Sequence, residues 1–259
     1  MEKLVESLKN LIIEAGEIAL LKRELGLRVS YKEDNSPVTN GDIEVSEFIY
    51  KNLVRLTPDI AIICEEREII TLTENSFWLI DPIDGTKSYI KGDDIYTINI
   101  GLIENGTPTI GLIYQPSMHR LYYTDHNNSL RIEQNGIEEK LDTLPKNYCN
   151  AVLSSHSSNI DTKNFLAKHL ITEVVSIPSS IKLCLVAAGE CDIYPKFGPT
   201  MEWDIAAGHA LIRANGGNIV DLDGKELTYK KDDYKNPSFY AYSRHWINHP
   251  NRSVNYQQE

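Results

Sequence analysis

A chain of 259 residues with 41% hydrophobic and 24% charged side chains can bury a sizeable core, and it contains no apolar run near the ~20 residues of a membrane span. Its formal charge of −11 excludes the basic footprint that a nucleic-acid polymer needs, but not a small phosphate ester, because bound cations reverse the sign of a local site. Cys64, Cys149, Cys184 and Cys191 make neither a C-x-x-C pair nor a set with histidine at metal spacing, and are expected as reduced, buried thiols.

Met1-Glu2-Lys3 leads into an amphipathic pattern on Leu4, Leu8, Leu11, Ile12 and Ala15, which predicts a first helix rather than a signal peptide. A cytoplasmic protein is expected, with peripheral contact at the inner face of the membrane left open. The polar stretch from Tyr31 to Pro37 precedes Thr39-Asn40-Gly41-Asp42, a capping start for a second helix that carries Ile43, Phe48, Ile49, Leu53 and Val54. Ile60 to Ile63 is a short strand ending in Cys64-Glu65-Glu66, and Phe77 to Ile80 is a strand that meets a turn at Asp81-Pro82. Ile95 to Ile103, Thr109 to Tyr114 and Leu121 to Thr124 follow as an antiparallel meander. From Ala151 the rhythm alternates: strands over Ala151–Leu153, Glu173–Ile177, Cys191–Tyr194 and Asn218–Leu222, with helices over Asp161–Leu170, Ser180–Ala188 and Trp203–Ala214. The fold class is therefore α/β, layered, with a soft boundary near 145 that separates residues 1–145 from 146–259.

The acids carry the chemistry. Asp81 and Asp84 flank Pro82, which fixes the backbone and donates no hydrogen bond, so the Ile83 carbonyl is free to turn between the two side chains. With Glu65 or Glu66, which also follow a strand, they offer hard oxygen donors suited to Mg²⁺ or Mn²⁺. Gly85 permits a close phosphate approach and Thr86 adds a hydroxyl. The same residues also read as a D-P-x-D-G turn with solvated acids, and Asp204 as a helix cap. Only a fold that joins positions 65, 81, 84 and 204 makes them a cage.

Glu65-Glu66, then Asp81-Pro82-Ile83-Asp84-Gly85-Thr86, then Trp203-Asp204-Ile205-Ala206-Ala207-Gly208 resemble, in that order, the lithium-sensitive, Mg²⁺-dependent phosphatases of the inositol monophosphatase superfamily. Within it, Asp34 to Thr39, Leu56 to Asp59, Ser179 to Gly189 and Tyr194 to Thr200 resemble the branch that acts on 3'(2'),5'-bisphosphate nucleotides in sulfur assimilation. The resemblance implies a five-layer αβαβα sandwich of the inositol monophosphatase and fructose-1,6-bisphosphatase type. It implies two or three Mg²⁺ ions, with Mn²⁺ as a substitute: Glu65, Asp81 and the Ile83 carbonyl hold one, and Asp81, Asp84 and Asp204 a second. Glu66 supports the ligands, while Asp42 and Thr86 orient the attacking water. Ser179 and Lys182 are candidates for a distal phosphate, with Gly85, Thr86, Asp204, Lys196, Tyr194 and His156 around the substrate and Phe197 beside Tyr194 on the base. Relatives commonly carry Arg at the position of Lys196, and a histidine displaced by one from His156.

The reaction so implied is hydrolysis of adenosine 3',5'-bisphosphate to AMP, extending to its 5'-phosphosulfate analogue, by a monomer or homodimer whose partner is the nucleotide alone. Inositol-1-phosphate or another sugar phosphate is the alternative substrate. A non-catalytic nucleotide-binding regulator is a third reading, but it predicts loss of a ligand and none is lost. A haloacid-dehalogenase-type enzyme requires two aspartates two apart, whereas Asp81 and Asp84 are three apart.

Overall fold

An apolar stripe on one helix face must be buried, and the first helix, α1 (Glu2–Leu25), buries Val5, Leu8, Leu11, Ile12, Ala15 and Ala19 at helical spacing. This computed structural model describes residues 1–68, 72, 74–141, 149–154 and 159–249. After α1 come the hairpin β1 (Val29–Tyr31) and β2 (Pro37–Thr39), α2 (Asn40–Leu56), β3 (Ala61–Cys64), β4 (Ser76–Asp84) and the short α3 (Thr86–Lys91). The meander is β5 (Thr97–Glu104), β6 (Thr107–Gln115), β7 (Arg120–Thr124), β8 (Leu130–Gln134) and β9 (Ile137–Glu138). The second half holds β10 (Asn150–Leu153), α4 (Ile160–Lys168), β11 (Glu173–Ser176), α5 (Ile181–Ala188), β12 (Ile193–Lys196), α6 (Glu202–Ala214), β13 (Asn218–Asp221) and β14 (Phe239–Tyr242). The expected boundary at 145 lies outside the described residues.

Strands β3 to β9 form one sheet in chain order, parallel between β3 and β4 and antiparallel beyond. The second sheet runs β11-β10-β12-β14-β13, with β10 parallel to both neighbours. Alternation along the strands assigns each face a partner. Trp78, Ile80, Ile98, Ile100 and Leu112 pack under α1 and α2. From the opposite face, Phe77, Leu79, Ile103 and Ile113 meet Leu183, Val186, Ala206, Ala207 and Leu211 of α5 and α6, which reach Val152, Ile219, Phe239 and Ala241 of the second sheet. Beyond it, Phe165 and Leu166 of α4 cover Ala151, Ile193 and Trp246. Helices and sheets thus alternate in five layers, the mixed α/β sandwich expected.

The central helix α6 sits unusually close to the first sheet. A Cβ on Gly101 would lie 2.9 Å from the Ala207 nitrogen, and one on Gly111 would lie 2.2 Å from the Ala207 carbonyl oxygen. Glycine is required at both places because backbone touches backbone, and this contact brings the start of α6 to the ends of β3 and β4. The cysteines are free and buried, as their spacing predicts.

Candidate active site

Parallel pairing of Cys64 with Ile80 sets the ends of β3 and β4 side by side, and Glu65 donates its N–H to the Ile80 carbonyl at 3.1 Å. The predicted turn at Asp81-Pro82 is instead strand: β4 continues to Asp84, with a register shift between Asp81 and Asp84. A proline is tolerated there because the irregularity removes the ladder bond that its missing N–H would have made. Asp204 arrives from the first turn of α6, its Oδ2 accepting the Met201 N–H at 2.8 Å. Carboxylate oxygens of Glu65, Asp81 and Asp204 then lie within 4.8 Å of one another.

These acids repel. Burial first, then the charges of Glu65, Asp84, Asp204 and Asp42, push the Asp81 carboxyl well above its ordinary range. Asp84 and Asp204 are raised for the same two reasons, burial leading, although Lys182 opposes the rise at Asp84. Asp81 is 2% exposed and its Oδ1 has no hydrogen-bond partner. An orphaned acceptor inside an all-oxygen, like-charged cluster fits a hard divalent cation. Lys32, on the β1–β2 hairpin, sets its Nζ 2.8 Å from Glu65 Oε1 and 2.7 Å from Glu66 Oε1. Burial pushes Glu66 up to about 7 against the pull of that ammonium.

Asp42 has two tasks. As the third residue of α2 it closes the expected capping box, with Oδ2 accepting the Thr39 N–H at 2.8 Å and the Thr39 hydroxyl at 2.6 Å. That fixes the carboxylate so that Oδ1 faces Thr86, whose hydroxyl donates to it at 3.2 Å and to the Ile83 carbonyl at 3.1 Å. Gly85, at φ 94°, lets the chain turn from β4 into α3, and a Cβ there would press on the Ile95 carbonyl at 3.2 Å and Ser179 Cβ at 3.3 Å.

A cavity of about 220 Å³ opens beside the acids, lined by Asp84 and Asp204 and by Ser179, Lys182, Tyr194 and Lys196. Lys182 is 6% exposed, donates to the Ser179 carbonyl and lies 5.5 Å over the Tyr194 ring. Burial pulls it down to about 8; the Asp84 charge opposes this and Lys196 adds to it. Ser180, the N-cap of α5, shares a 2.7 Å hydrogen bond with the Thr97 hydroxyl and donates to Asn99 Oδ1 at 2.8 Å, which ties this wall to β5.

A family model for inositol monophosphatases matches residues 1–255. The chain belongs to the inositol monophosphatase family. It is 36% identical over 247 residues to the 3'(2'),5'-bisphosphate nucleotidase CysQ of Buchnera aphidicola, covering 92% of this chain and 93% of that one. Against CysQ of Escherichia coli the identity is 37% over 212 residues, 80% and 86% of the two chains. The crystal structure of CysQ from Bacteroides thetaiotaomicron, described as a bacterial inositol monophosphatase family member, superposes with a TM-score of 0.78 at 28% identity over 94% of this chain and 98% of that chain.

Of the residues that the family resemblance singled out, the structure brings Glu65, Asp81, Asp84 and Asp204 to one place, Asp42 against Thr86, and Ser179, Lys182, Tyr194 and Lys196 around one cavity. Phe197 is elsewhere: just past the end of β12 and three residues from Tyr194, it meets Phe165 edge-on at 6.0 Å in the outer layer. His156 lies outside the described residues. Sequence reasoning missed Lys32, Thr97, Asn99 and the role of Ser180. For Thr97 and Asn99 a signal existed, two polar residues at period two in an otherwise apolar strand; for Lys32 there was none.

Proposed function

We propose that this chain is a 3'(2'),5'-bisphosphate nucleotidase that hydrolyses the 3'-phosphate of adenosine 3',5'-bisphosphate to AMP and phosphate. One observation carries the reading: Asp84 and Asp204 line the same cavity as Lys182 and Lys196. Acids and lysines in a single space suit a ligand with two phosphates, one met through cations and the other by ammonium groups. The identity of 36% and 37% to the CysQ nucleotidases supports the same substrate class.

Glu65, Asp81 and the Ile83 carbonyl would hold one Mg²⁺, and Asp81, Asp84 and Asp204 a second. Bound there, such ions would neutralise the phosphate, lower the pKa of water and steady the leaving oxygen. The chain's own part is to aim and deprotonate the water. As the water oxygen bonds to phosphorus, its proton passes to Thr86 Oγ while the Thr86 proton moves to Asp42 Oδ1, 3.2 Å away. The bond from phosphorus to the ribose 3'-oxygen breaks, and that oxygen takes a proton from solvent. Lys182 and Lys196 hold the 5'-phosphate, and Gly85 keeps the backbone clear of the reacting group.

The test is phosphate release from adenosine 3',5'-bisphosphate, inositol 1-phosphate and fructose 1,6-bisphosphate in Mg²⁺. A kcat/KM at least about tenfold higher for the nucleotide is expected from one extra charged contact. Equal or better turnover of inositol 1-phosphate overturns the substrate assignment.

A further inference from the structure

The segment 228–236 contains none of the acid motifs, yet it is wired to the residues that deliver Asp204. Glu202, the first residue of α6, is 0% exposed, and its carboxylate is satisfied by this segment. Oε2 accepts the Lys230 N–H at 3.0 Å, and Oε1 accepts the Lys231 N–H at 3.0 Å and Lys231 Nζ at 2.9 Å. The same ammonium donates to the Thr228 carbonyl at 2.6 Å and to Asn236 Oδ1 at 3.1 Å. That leaves Asn236 Nδ2 oriented to donate to the Met201 carbonyl at 2.8 Å and the Thr200 hydroxyl at 3.2 Å. Backbone bonds complete the joint, from Glu202 N to the Tyr234 carbonyl at 2.8 Å and from Asn236 N to the Thr200 carbonyl at 2.9 Å.

Both ends of this wiring lead to the site. Met201 is the residue whose N–H holds the Asp204 carboxylate, and Thr200 lines the cavity. Methionine at the N-cap offers no oxygen to the first turn, so nothing in the cap side chain fixes the direction in which α6 enters. Lys230 and Tyr234 stand at φ 77° and 54°, conformations that non-glycine residues keep only where the surroundings over-determine them. A fully buried carboxylate with all its donors in place is such a surrounding, since a half-satisfied one is costly.

We propose that Glu202, Lys231 and Asn236 form a positioning clip, which sets the entry of α6 so that the Asp204 carboxylate and the Thr200 wall are held at the cavity. None of them touches substrate. The proposal rests on the reading above in taking Asp204 as a cation ligand, and the experiment distinguishes failure of the clip from failure of that reading.

The experiment is Mn²⁺ titration by calorimetry of the wild type and of Asn236→Ala, with kcat, KM and thermal midpoint measured on the same preparations. Loss of an outer hydrogen bond to a ligand typically costs ten- to a hundredfold in metal affinity, and Asn236 acts one bond further out, through Met201, so the lower end applies. The expected result is an Mn²⁺ Kd raised about tenfold and a kcat lowered about tenfold, with KM changed less than about threefold. Lys235→Met, next in sequence but 61% exposed, is the control expected to match wild type. A folded Asn236→Ala protein with Mn²⁺ affinity and kcat within about twofold of wild type overturns the clip. If Asn236→Ala does not fold, Lys231→Met decides by the same criteria, because it keeps the stem and removes the ammonium bonds to Glu202, Asn236 and the Thr228 carbonyl. Wild type that takes up no Mn²⁺ overturns the ligand assignment and the clip's purpose with it.

Discussion

The two walls of the cavity solve the problem of buried charge in opposite ways. The acid wall gathers Glu65, Asp81, Asp84 and Asp204 from strand ends and a helix start, and the carboxyls of the three aspartates are pushed up by burial and by their charged neighbours. On the basic wall Lys182 is pulled down by burial, but it already has the Ser179 carbonyl, the Tyr194 ring and the field of Asp84. One wall is incomplete without a cation from outside, while the other is nearly complete in itself. Like charges held together against their own repulsion mark the place where binding energy can be used for chemistry. A lysine with internal partners marks a place that recognises.

The largest expected effect tests the incomplete wall. Asp84→Asn removes one charge and keeps the volume, so the fold should persist. Loss of one charged ligand from a divalent site is worth several kcal/mol in the transition state, and a kcat at least ~10³-fold below wild type is expected. Millimolar Mg²⁺ should raise the thermal midpoint of wild type by preferential binding to the folded state, and do so far less in Asp84→Asn. Near-normal kcat in a folded variant would mean that Asp84 is only a structural residue at the end of β4.

The basic wall should lose recognition instead. Lys182→Met keeps most of the buried stem and removes the ammonium. A charged hydrogen bond of ~1.5–3 kcal/mol to the distal phosphate corresponds to roughly a 10- to 150-fold fall in kcat/KM for adenosine 3',5'-bisphosphate. For a simple monophosphate ester the change should stay within about threefold. Equal losses on both substrates would make Lys182 part of the general field rather than a subsite.

This contrast explains what the sequence made legible. The acid wall is built from contiguous strings at the ends of apolar runs, and the family resemblance rests on them, so its candidate ligands are legible in the sequence. Asp42 was visible as a helix-start acid, and the capping box then showed why its free oxygen must face Thr86. What stayed hidden is held by long-range contacts with no local pattern. Lys32 sits in a polar stretch and finds Glu65 and Glu66 33 and 34 residues on. Asn236 reaches back 35 residues to Met201. Strand β14, which pairs with both β12 and β13, is an exception: its run Phe239-Tyr240-Ala241-Tyr242 between Pro237-Ser238 and Ser243 carries a strand signal that the alternating reading passed over. Phe197 stands three residues from Tyr194, an odd spacing that a period-two backbone turns to the opposite side, and it meets Phe165 while Tyr194 faces the cavity.

A smaller effect sharpens the comparison by supplying a buried titratable group that depends on neither wall. His209 is one turn and a half beyond Asp204 on α6, fully buried, with Nδ1 3.0 Å from the Tyr229 hydroxyl and Nε2 2.7 Å from Asn218 Oδ1. Burial pulls it down to about 3. An unfolded histidine titrates near 6.5, so above that pH both states are neutral and His209 adds nothing to the pH dependence. Below it the unfolded chain takes a proton that the folded protein refuses, and stability falls by ~1.4 kcal/mol per pH unit until the folded site itself titrates near pH 3. The acid wall moves the other way in cation-free protein, since carboxyls raised by folding take up protons as the pH drops and stabilise the folded state. Bound divalent ions would hold those carboxylates ionised and cancel that gain, but they should leave His209 untouched. The measurement is the thermal midpoint at pH 7 and pH 5.5 for wild type and His209→Gln, each with and without Mg²⁺. Wild type should lose ~1.4 kcal/mol more than the variant on acidification, about 3–6 °C for a chain of this size, and the difference should be the same in both ionic conditions. A difference that vanishes would mean that Glu226, whose Oε1 lies 3.8 Å from His209 Nε2, lets the ring protonate in the folded protein, and one that changes with Mg²⁺ would join His209 to the acid wall instead of separating it.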